Sequence, residues 1–552
     1  MKRSWKQNMK TWAALALLVV PAMAYAADPV VLRYVDTQGS PATIADGVQT
    51  DPVSLALQPA TGAALSFEAS VNTADKYNVM IASGDIPDLF AFGPETRPKL
   101  GNLIQAGALL DLAALVDKYG PNIKKVAGSS LNFSKKELSG GTGKLYAIPA
   151  RLVAGGPQNV YYQPYVGTHM RWDYFKEIGK PALKSFDDVA KAVIAIQKKH
   201  PTTPEGKKIY GVSMWSDWGL WHYTVLSEVM RGIQGKGGAN FIDTKTYEYV
   251  DGLKDARSPL WIDSAFYNKL WRAGIVDPDS FTQTFDQAIA KFNAGQVTMQ
   301  AAYWVLGGQN STLVKTNADY LSIPVEGMSY NAAQYNPLGS KFYVVSANSK
   351  NPEKAIQVLN WMYSDEGARS LLDGAKGDTW TVDASGKAVL TAKGLTLKED
   401  KDFVVNSGAQ KYLNSTALDP QAKDSTGKQF IDLFNEPEVQ AKTLTEAQKE
   451  WLANYKMDST HNLWKKFNAF APNSAYDQFA PVPSDESKRT SSKIDTYLST
   501  AIPKLIMSKT DAEFTTNKAT IIKDVNAIQG YAAMVAETKA NIAKAKAAGA
   551  GY

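Results

Sequence analysis

The first 26 residues read as an export signal, and the chain that follows contains no cysteine. Basic residues open the segment, the apolar run 13–20 follows, and Ala24-Tyr25-Ala26 supplies a small-residue cleavage site. We therefore expect a signal peptide over residues 1–26 and a mature chain that begins near Ala27. Without disulfides the mature chain must rely on a large apolar core, and 552 residues allow two domains or more.

The composition narrows the possible functions. The formal charge of +6 includes four Lys/Arg of the signal, so the mature chain is near +2, and it has no basic block dense enough for nucleic acid. Four histidines and no cysteine leave little material for a transition-metal site, so we expect no metal and no cofactor. Because no cysteine stands at the cleavage point, we expect a periplasmic protein and not a lipoprotein.

Strand and helix patterns alternate in the first part of the mature chain. Strand patterns occupy residues 30–35, 65–71, 88–92 and 342–346. Helical spacing is present over residues 74–82, and Ser185 could cap a helix over residues 186–199. Pro352 opens a further helix, and the region from about residue 484 is helical in pattern. This order predicts an α/β fold with a parallel sheet.

Five segments carry motifs that occur together in one family. They are residues 81–90, with Ser-Gly-Asp-x-Pro-Asp at 83–88, residues 107–112, 143–149, 170–179 with 186–188, and 342–367. In this order they resemble the extracellular solute-binding proteins of carbohydrate ABC importers, in particular the long oligosaccharide-binding branch that includes alginate-binding proteins. The resemblance implies a two-lobe periplasmic binding protein fold of the type II kind, with an interlobe cleft and additional C-terminal helices.

The resemblance also implies how the chain divides and what it does. We expect residues 27–155 and 339–420 in the first lobe, and residues 156–338 and 421–552, the latter mainly helical, in the second. A monomer would capture an oligosaccharide by lobe closure and deliver it to the membrane subunits of an ABC importer. Residues 199–208 stand where some long members carry a calcium loop, but they lack the spaced carboxylates of an oxygen cage, so we expect no calcium there.

Three aromatic clusters, within residues 161–165, 215–223 and 303–304, could line a sugar site, because sugar rings need flat apolar surfaces beside planar polar groups. The candidate contacts from these clusters are Tyr161, Tyr162, Trp215, Trp218, Tyr303 and Trp304. Core packing is an equal alternative for Trp215 and Trp218, since a spacing of three also places them on one side of a helix. The resemblance favours Tyr303 and Trp304, because the matching segment of relatives ends a strand at the cleft.

Asp88, Arg151, Arg171 and Trp172 complete the candidate contacts. Guanidinium groups pair well with carboxylates or vicinal hydroxyls, but each arginine could equally form an ordinary ion pair. Asp88 could contact a ligand or accept hydrogen bonds from backbone N–H groups at the start of a strand. Trp172 and Tyr174 stand where the family motif has a variable residue and its tryptophan, which leaves the identity of the stacking aromatic open.

Two other functions stay open at this point. A secreted polysaccharide hydrolase or lyase could use the same aromatic residues, but no carboxylate pair stands out, and Gly-x-Ser-x-Gly and His-Glu-x-x-His are absent. We therefore expect that the protein is not an enzyme. A binding protein for a non-sugar solute such as a peptide would keep the fold. Among sugars we prefer a neutral oligosaccharide, since a polyuronate needs several cations in one cleft.

Overall fold

The computed structural model describes most of the mature chain. It covers residues 28–36, 45–68, 79–92 except 81, 97–152, 164–313, 316–328, 339, 341–397, 402–411, 416–419, 422–427, 444–467, 476 and 479–550, with single residues between 430 and 442. The predicted signal peptide and most of the helix predicted at 74–82 lie outside these residues. None of the helices in the described ranges is both long and apolar enough to cross a membrane.

Strands and helices alternate through the described residues. The strands are β1 (Val30–Asp36), β2 (Gly47–Val48), β3 (Ala63–Phe67), β4 (Leu89–Phe92), β5 (Ile148–Ala150), β6 (Val166–Arg171), β7 (Ile233–Gly237), β8 (Asn240–Asp243), β9 (Tyr249–Asp251), β10 (Met299–Ala302), β11 (Tyr320–Ser322), β12 (Lys341–Val345), β13 (Trp380–Val382) and β14 (Ala388–Leu390). The helices are α1 (Pro52–Thr61), α2 (Arg97–Gln105), α3 (Ala113–Tyr119), α4 (Pro121–Glu137), α5 (Trp172–Glu177), α6 (Phe186–Lys199), α7 (Val225–Arg231), α8 (Pro259–Arg272), α9 (Phe285–Asn293), α10 (Leu306–Leu313), α11 (Pro352–Met362), α12 (Asp365–Asp373), α13 (Ala392–Leu397), α14 (Phe403–Ser407), α15 (Glu446–Asn454), α16 (Thr460–Lys466), α17 (Asp485–Ile506), α18 (Asp511–Ala527) and α19 (Tyr531–Gly549).

The first sheet has six strands in the order β2-β3-β1-β4-β12-β5. β1 runs parallel to β3 and β4, as predicted, whereas β12 runs antiparallel to β4 and β5. The strand predicted at 65–71 lies earlier, at 63–67, because Gly62 adopts a left-handed φ of 68° that ends α1 directly before it. Helix α11 and the helical region after residue 484 confirm the predictions for those segments.

The second sheet is smaller and antiparallel, with the order β10-β6-β11. The core beside it combines residues of α6, α7 and α8 with Ile494, Leu498 and Ile502 of α17. The first sheet has a separate core, which includes residues of α1, α4 and α11 and also Phe430. Two sheets with two cores give an α/β fold of two lobes. A third apolar cluster joins the lobes, because Phe90 and Phe133 share it with Tyr247 and Phe479.

The chain crosses between the lobes at one edge of each sheet. β6 begins at Val166, which faces Ala302 at the end of β10. β11 runs antiparallel to β6, so it leaves the second sheet at this same edge. In the first sheet β5 ends at Ala150, which faces Lys341 at the start of β12, and Phe342 faces Phe92 at the end of β4. These two edges therefore border the cleft between the lobes.

Candidate functional site

Aromatic side chains gather at the edge of the second sheet where the chain enters it. Tyr165 directly precedes β6, and its carbonyl accepts a 2.9 Å hydrogen bond from the N–H of Tyr303, which follows β10. The side chains of Tyr165, Tyr303 and Trp304 are 43, 44 and 46 % exposed. The rings of Tyr165 and Trp304 stack with their centroids 6.4 Å apart and their planes 28° apart. Backbone pairing of the strand ends thus fixes three exposed rings beside one another.

The loop from Trp215 to Trp221 extends this surface. The ring centroid of Trp221 lies 5.8 Å from that of Trp304 and 5.5 Å from that of Trp218. Trp218 is 42 % exposed and stacks on Phe285, with centroids 4.8 Å apart. We call the surface formed by Tyr165, Trp218, Trp221, Phe285 and Trp304 the aromatic face.

Trp215 supports this face from below. It is only 1 % exposed, and it stacks on Trp221 with centroids 5.4 Å apart. The loop is held in place because the N–H of Ser216 donates to the carbonyl of Gln283, and Gly219 turns it with a left-handed φ of 60°. Trp215 therefore lies in the core, as the packing alternative predicted, whereas Trp218 lies at the surface and its contact with a ligand stays a prediction.

Two buried histidines lie beneath the aromatic face. His222 meets the edge of Trp215 with ring centroids 3.9 Å apart, and the ring of His169 on β6 lies 6.0 Å from that of Tyr303. Desolvation lowers the pKa of each imidazole to about 3. Both rings are therefore neutral at physiological pH.

The charged residues adjacent in sequence to the rings of the aromatic face are acidic. Within residues 165–169, 215–223, 285–289 and 302–306, the Asp, Glu, Lys and Arg side chains are Asp217 and Asp286 alone. The carboxylate of Asp217 accepts a 3.0 Å hydrogen bond from the N–H of Phe285 and so holds the start of α9 against the loop. The face therefore combines aromatic rings with carboxylate acceptors.

The edge of the first sheet that borders the cleft carries charged residues. Arg151 follows β5 with a left-handed φ of 57°, and its guanidinium lies 2.8 Å from the carboxylate of Asp419. The backbone N–H of Arg151 donates to the carbonyl of Thr416. Asp36 at the end of β1 and Lys341 at the start of β12 are buried at the same edge. The structure thus places Arg151 at the cleft, with its charge matched by a carboxylate.

Arg171 and Trp172 lie away from the aromatic face. They follow Met170 at the far end of β6, opposite to Val166. The guanidinium of Arg171 lies 2.5 Å from the carboxylate of Asp173 and 3.9 Å from the centre of the Tyr174 ring. Trp172 is 1 % exposed and belongs to the second core, because β6 turns there into α5 and directs the indole inward.

Asp88 also lies outside the cleft edge. It precedes β4, whereas the cleft borders the other end of that strand. Its two carboxylate oxygens accept hydrogen bonds from the N–H of Arg33 at 3.0 Å and from the hydroxyl of Ser349 at 2.6 Å. Asp88 therefore accepts hydrogen bonds from neighbouring donors at the start of a strand, which was the second interpretation of this residue.

Tyr161 and Tyr162 lie outside the described residues.

Residues 199–208 form a tight turn, in which the N–H of Thr203 donates to the carbonyl of Lys207 at 2.7 Å. The described part of the chain contains no group of three or more His, Asp or Glu side chains placed to hold a metal ion. The expected absence of calcium stays a prediction.

Three residues of the aromatic face were not among the sequence candidates. Tyr165 and Trp221 stand inside the predicted aromatic clusters, so extending the choice to whole clusters would have found them. Phe285 offers no such signal, because only the tertiary structure brings it onto Trp218 from a separate helix.

The two-lobe fold agrees with the result of comparing the chain with known proteins. Residues 61–369 match the family described as bacterial extracellular solute-binding protein. The chain belongs to this family. This solute-binding protein is 23 % identical over 309 residues to the fructooligosaccharide ABC transporter substrate-binding protein FusA of Streptococcus pneumoniae serotype 4 (strain ATCC BAA-334 / TIGR4). The match covers 53 % of each chain, so it spans about half the length of that relative.

Solved structures of similar shape extend over nearly the whole solute-binding protein. The alginate-binding protein AlgQ2 without calcium ion has a TM-score of 0.60 at 16 % identity, covering 94 % of this chain and 98 % of its own. FusA of S. pneumoniae in complex with kestose has a TM-score of 0.59 at 16 % identity, covering 94 % and 100 %. A solute-binding protein of Bifidobacterium longum infantis ATCC 15697, described as binding HMO, has a TM-score of 0.59 at 15 % identity, covering 94 % and 99 %. These likenesses confirm the predicted two-lobe α/β fold with added C-terminal helices.

Proposed function

We propose that this protein captures an oligosaccharide on the aromatic face and delivers it intact to an ABC importer. One observation carries the proposal: Tyr165, Trp218 and Trp304 keep 42 to 46 % of their side chains exposed at the edge of the interlobe cleft. Leaving large rings in water forgoes favourable burial, so such a contiguous surface indicates a ligand. Tyr165 with Trp304, and Trp218 with Phe285, form two stacked pairs whose outer surfaces are flat and suit the C–H faces of sugars.

The ligand that best suits this surface is a neutral oligosaccharide. Asp217 and Asp286 would repel a polyuronate, and they are good acceptors for sugar hydroxyls. The two arginines considered as uronate contacts do not add an uncompensated charge to the face, because Arg171 lies at the far end of β6 and Arg151 is paired with Asp419. The name of the relative FusA, a fructooligosaccharide-binding protein, supports the same choice.

Closure of the cleft would complete the site. We place residues 27–155 and 339–420 in the first lobe and residues 156–338 and most of 421–552 in the second, whereas Phe430 packs in the core of the first. The edge of the first lobe that carries Arg151, Asp36 and Lys341 then faces a sugar held on the aromatic face of the second. Closure is favoured by a ligand that contacts both lobes at once. Tyr161 and Tyr162, which precede Tyr165 closely in the sequence, belong to the same proposal.

The cellular setting follows from the family and the signal sequence. We propose that the signal is removed near Ala26 and that the mature chain acts in the periplasm as a monomer, without a lipid anchor. Its partners are the oligosaccharide and the membrane subunits of an importer. The protein breaks no bond in this proposal, because its family and the relative FusA are solute-binding proteins.

Thermal melting of the purified mature protein with neutral and acidic oligosaccharides tests the proposal. A neutral oligosaccharide at a hundred times its dissociation constant should stabilise the fold by about 2.7 kcal/mol, and chromatography should recover it unchanged. Consumption of the sugar would establish an enzyme instead. Binding of acidic sugars alone would contradict the neutral ligand, and no binding at all would indicate a non-sugar solute such as a peptide.

A further inference from the structure

A cavity separate from the aromatic face lies on the other side of the second sheet. It has a volume of about 760 Å³. Its lining combines the turn that follows α5, the segment that follows the edge strand β11, and the ends of α15 and α16. Trp304 of the aromatic face follows the opposite edge strand, β10, and no residue of the aromatic face lines this cavity.

Three lysines from three separate elements line the cavity. Lys180 follows α5, Lys456 follows α15, and Lys466 ends α16. Among the described lining residues, Glu326 is the one that carries a carboxylate. The described lining thus has three ammonium groups against one carboxylate, which is an excess of two positive charges.

Two of the three ammonium groups are available to a ligand. Lys466 donates a 3.2 Å hydrogen bond to the carbonyl of Tyr455. Lys180 and Lys456, which are both exposed, form no ion pair with any side chain in the described part of the chain. A hydrogen bond from Lys176, and to a smaller extent the charge of Lys180, lower the pKa of Glu450. That carboxylate is therefore already bound to a different lysine.

The same two lysines occupy backbone positions that favour glycine. Lys180 has a left-handed φ of 51°, and Lys456 has one of 57°. A residue that ends a helix in this conformation is most often glycine, because the Cβ of any other residue comes too close to a carbonyl oxygen. Side chains held at such a cost in stability are concentrated at ligand sites. The backbone thus points to the same two ammonium groups as the charge does.

We propose that this cavity binds a phosphate monoester, either a soluble one or the headgroup of a lipid. A phosphate monoester carries a charge of about −1.5 to −2 near neutral pH, which matches the excess positive charge of the lining. Lysine binds phosphate as a point charge, whereas carboxylates are held best by the planar fork of arginine, and the described lining contains no arginine. Tyr455, Phe467 and Met328 add apolar surface for the organic part of the ligand.

Replacing the two left-handed lysines by glycine tests this site. Lys180→Gly combined with Lys456→Gly removes two ammonium groups and gives each turn the residue that its backbone favours, so the melting temperature should not fall. The control combines Lys184→Gln with Lys465→Gln, because both lysines are exposed near the cavity and neither lines it. Calorimetry at constant ionic strength measures binding of phenyl phosphate. Co-sedimentation measures binding to phosphatidylcholine vesicles with and without phosphatidic acid.

We expect the original protein and the control variant to bind the phosphate probe equally, and the glycine variant to lose about tenfold or more in affinity. Loss of phenyl phosphate binding alone would identify a soluble ligand, and loss of binding to the phosphatidic acid vesicles would identify a headgroup. If the original protein binds neither probe, or if both variants lose equally, the proposal is wrong and the lysines only balance the carbonyl ends of the helices. Sugar binding on the aromatic face is independent of this result, since the two share no residue.

Discussion

The indole of Trp215 stacks beneath that of Trp221, with ring centroids 5.4 Å apart and planes 17° apart. Trp215 is buried and Trp221 half-buried, and Trp221 in turn contacts the exposed Trp304. The exposed ring of Trp304 is thus connected to the core through the rings of Trp221 and Trp215. Because the rings are already packed against one another, little conformational entropy remains to be lost when a ligand binds.

Removal of Trp304 should weaken ligand binding and leave the fold intact. Trp304 is largely at the surface, so Trp304→Ala should change the free energy of unfolding by less than about 1 kcal/mol. A central aromatic contact contributes about 2 kcal/mol or more to binding, which corresponds to a loss of affinity of at least tenfold. Calorimetry with the best sugar from the screen measures it. Trp271→Ala, on α8 beside Phe281, is the control and should keep the affinity; equal affinity in both variants would show that the face is not the site.

Removal of Trp215 should act on stability first. Trp215→Ala empties a site whose neighbours are Trp221, His222 and Phe285, and a loss of this kind costs about 3 to 5 kcal/mol. Urea unfolding should show a lower midpoint, and Trp215→Phe should recover part of it. Affinity should fall as well, since the support of Trp221 is lost. A variant that binds weakly but unfolds at the original urea concentration would instead make Trp215 a direct ligand contact.

The buried histidines should make the fold less stable in mild acid. The folded pKa of His222 is about 3, whereas an unfolded histidine has a pKa of about 6.5. Between these values only the unfolded chain takes up the proton, so the free energy of unfolding decreases as the pH falls below about 6.5 and continues to decrease towards 3. Above about 6.5 the residue has no effect on the pH dependence.

Urea unfolding at neutral pH and in mild acid measures this effect. His222→Phe should lose less stability than the original protein between the two conditions, whatever the substitution does to absolute stability. His169 has the same low pKa, so it lowers the stability in mild acid of both the original protein and the variant. An identical pH dependence in the two proteins would mean that His222 is already protonated, or accessible to water, in the folded state.

A buried ion pair in the first lobe should be sensitive to the loss of one partner. The ammonium of Lys411 lies 2.7 Å from the carboxylate of Asp51, and the two side chains are 7 and 4 % exposed. Asp51 also caps α1, because it accepts the N–H of Ser54. Asp51→Ala should cost about 3 to 5 kcal/mol, since it leaves a buried cation unpaired, against about 1 kcal/mol for a lost cap alone.

The double variant separates these two effects. Asp51→Ala combined with Lys411→Met removes the unpaired cation, so urea unfolding should show that much of the lost stability returns. A double variant as unstable as Asp51→Ala would assign the whole effect to the cap.

The sequence predicted best those features whose causes are local. The helix over 186–199 begins and ends where expected, because Ser185 caps it by accepting the N–H of Asp188. The family resemblance placed Tyr303 and Trp304 at the end of a strand, and they follow β10 directly. Trp172 and Phe285 could not be placed, since the side of a strand–helix junction that faces the core, and the helix that meets Trp218, depend on contacts distant in sequence.

The position of β12 between β4 and β5 governs the order in which this chain can assemble. During synthesis β4 and β5 exist long before residues 341–345, so the strand position between them stays empty while the whole second sheet is being made. The core beside the second sheet is completed later still, because it includes residues of α17 near position 500. An incomplete chain therefore exposes unpaired strand edges and apolar surface, which promote aggregation. Neither lobe can mature as an independent product of early translation, and protection of the nascent polypeptide must last until nearly all of it has emerged.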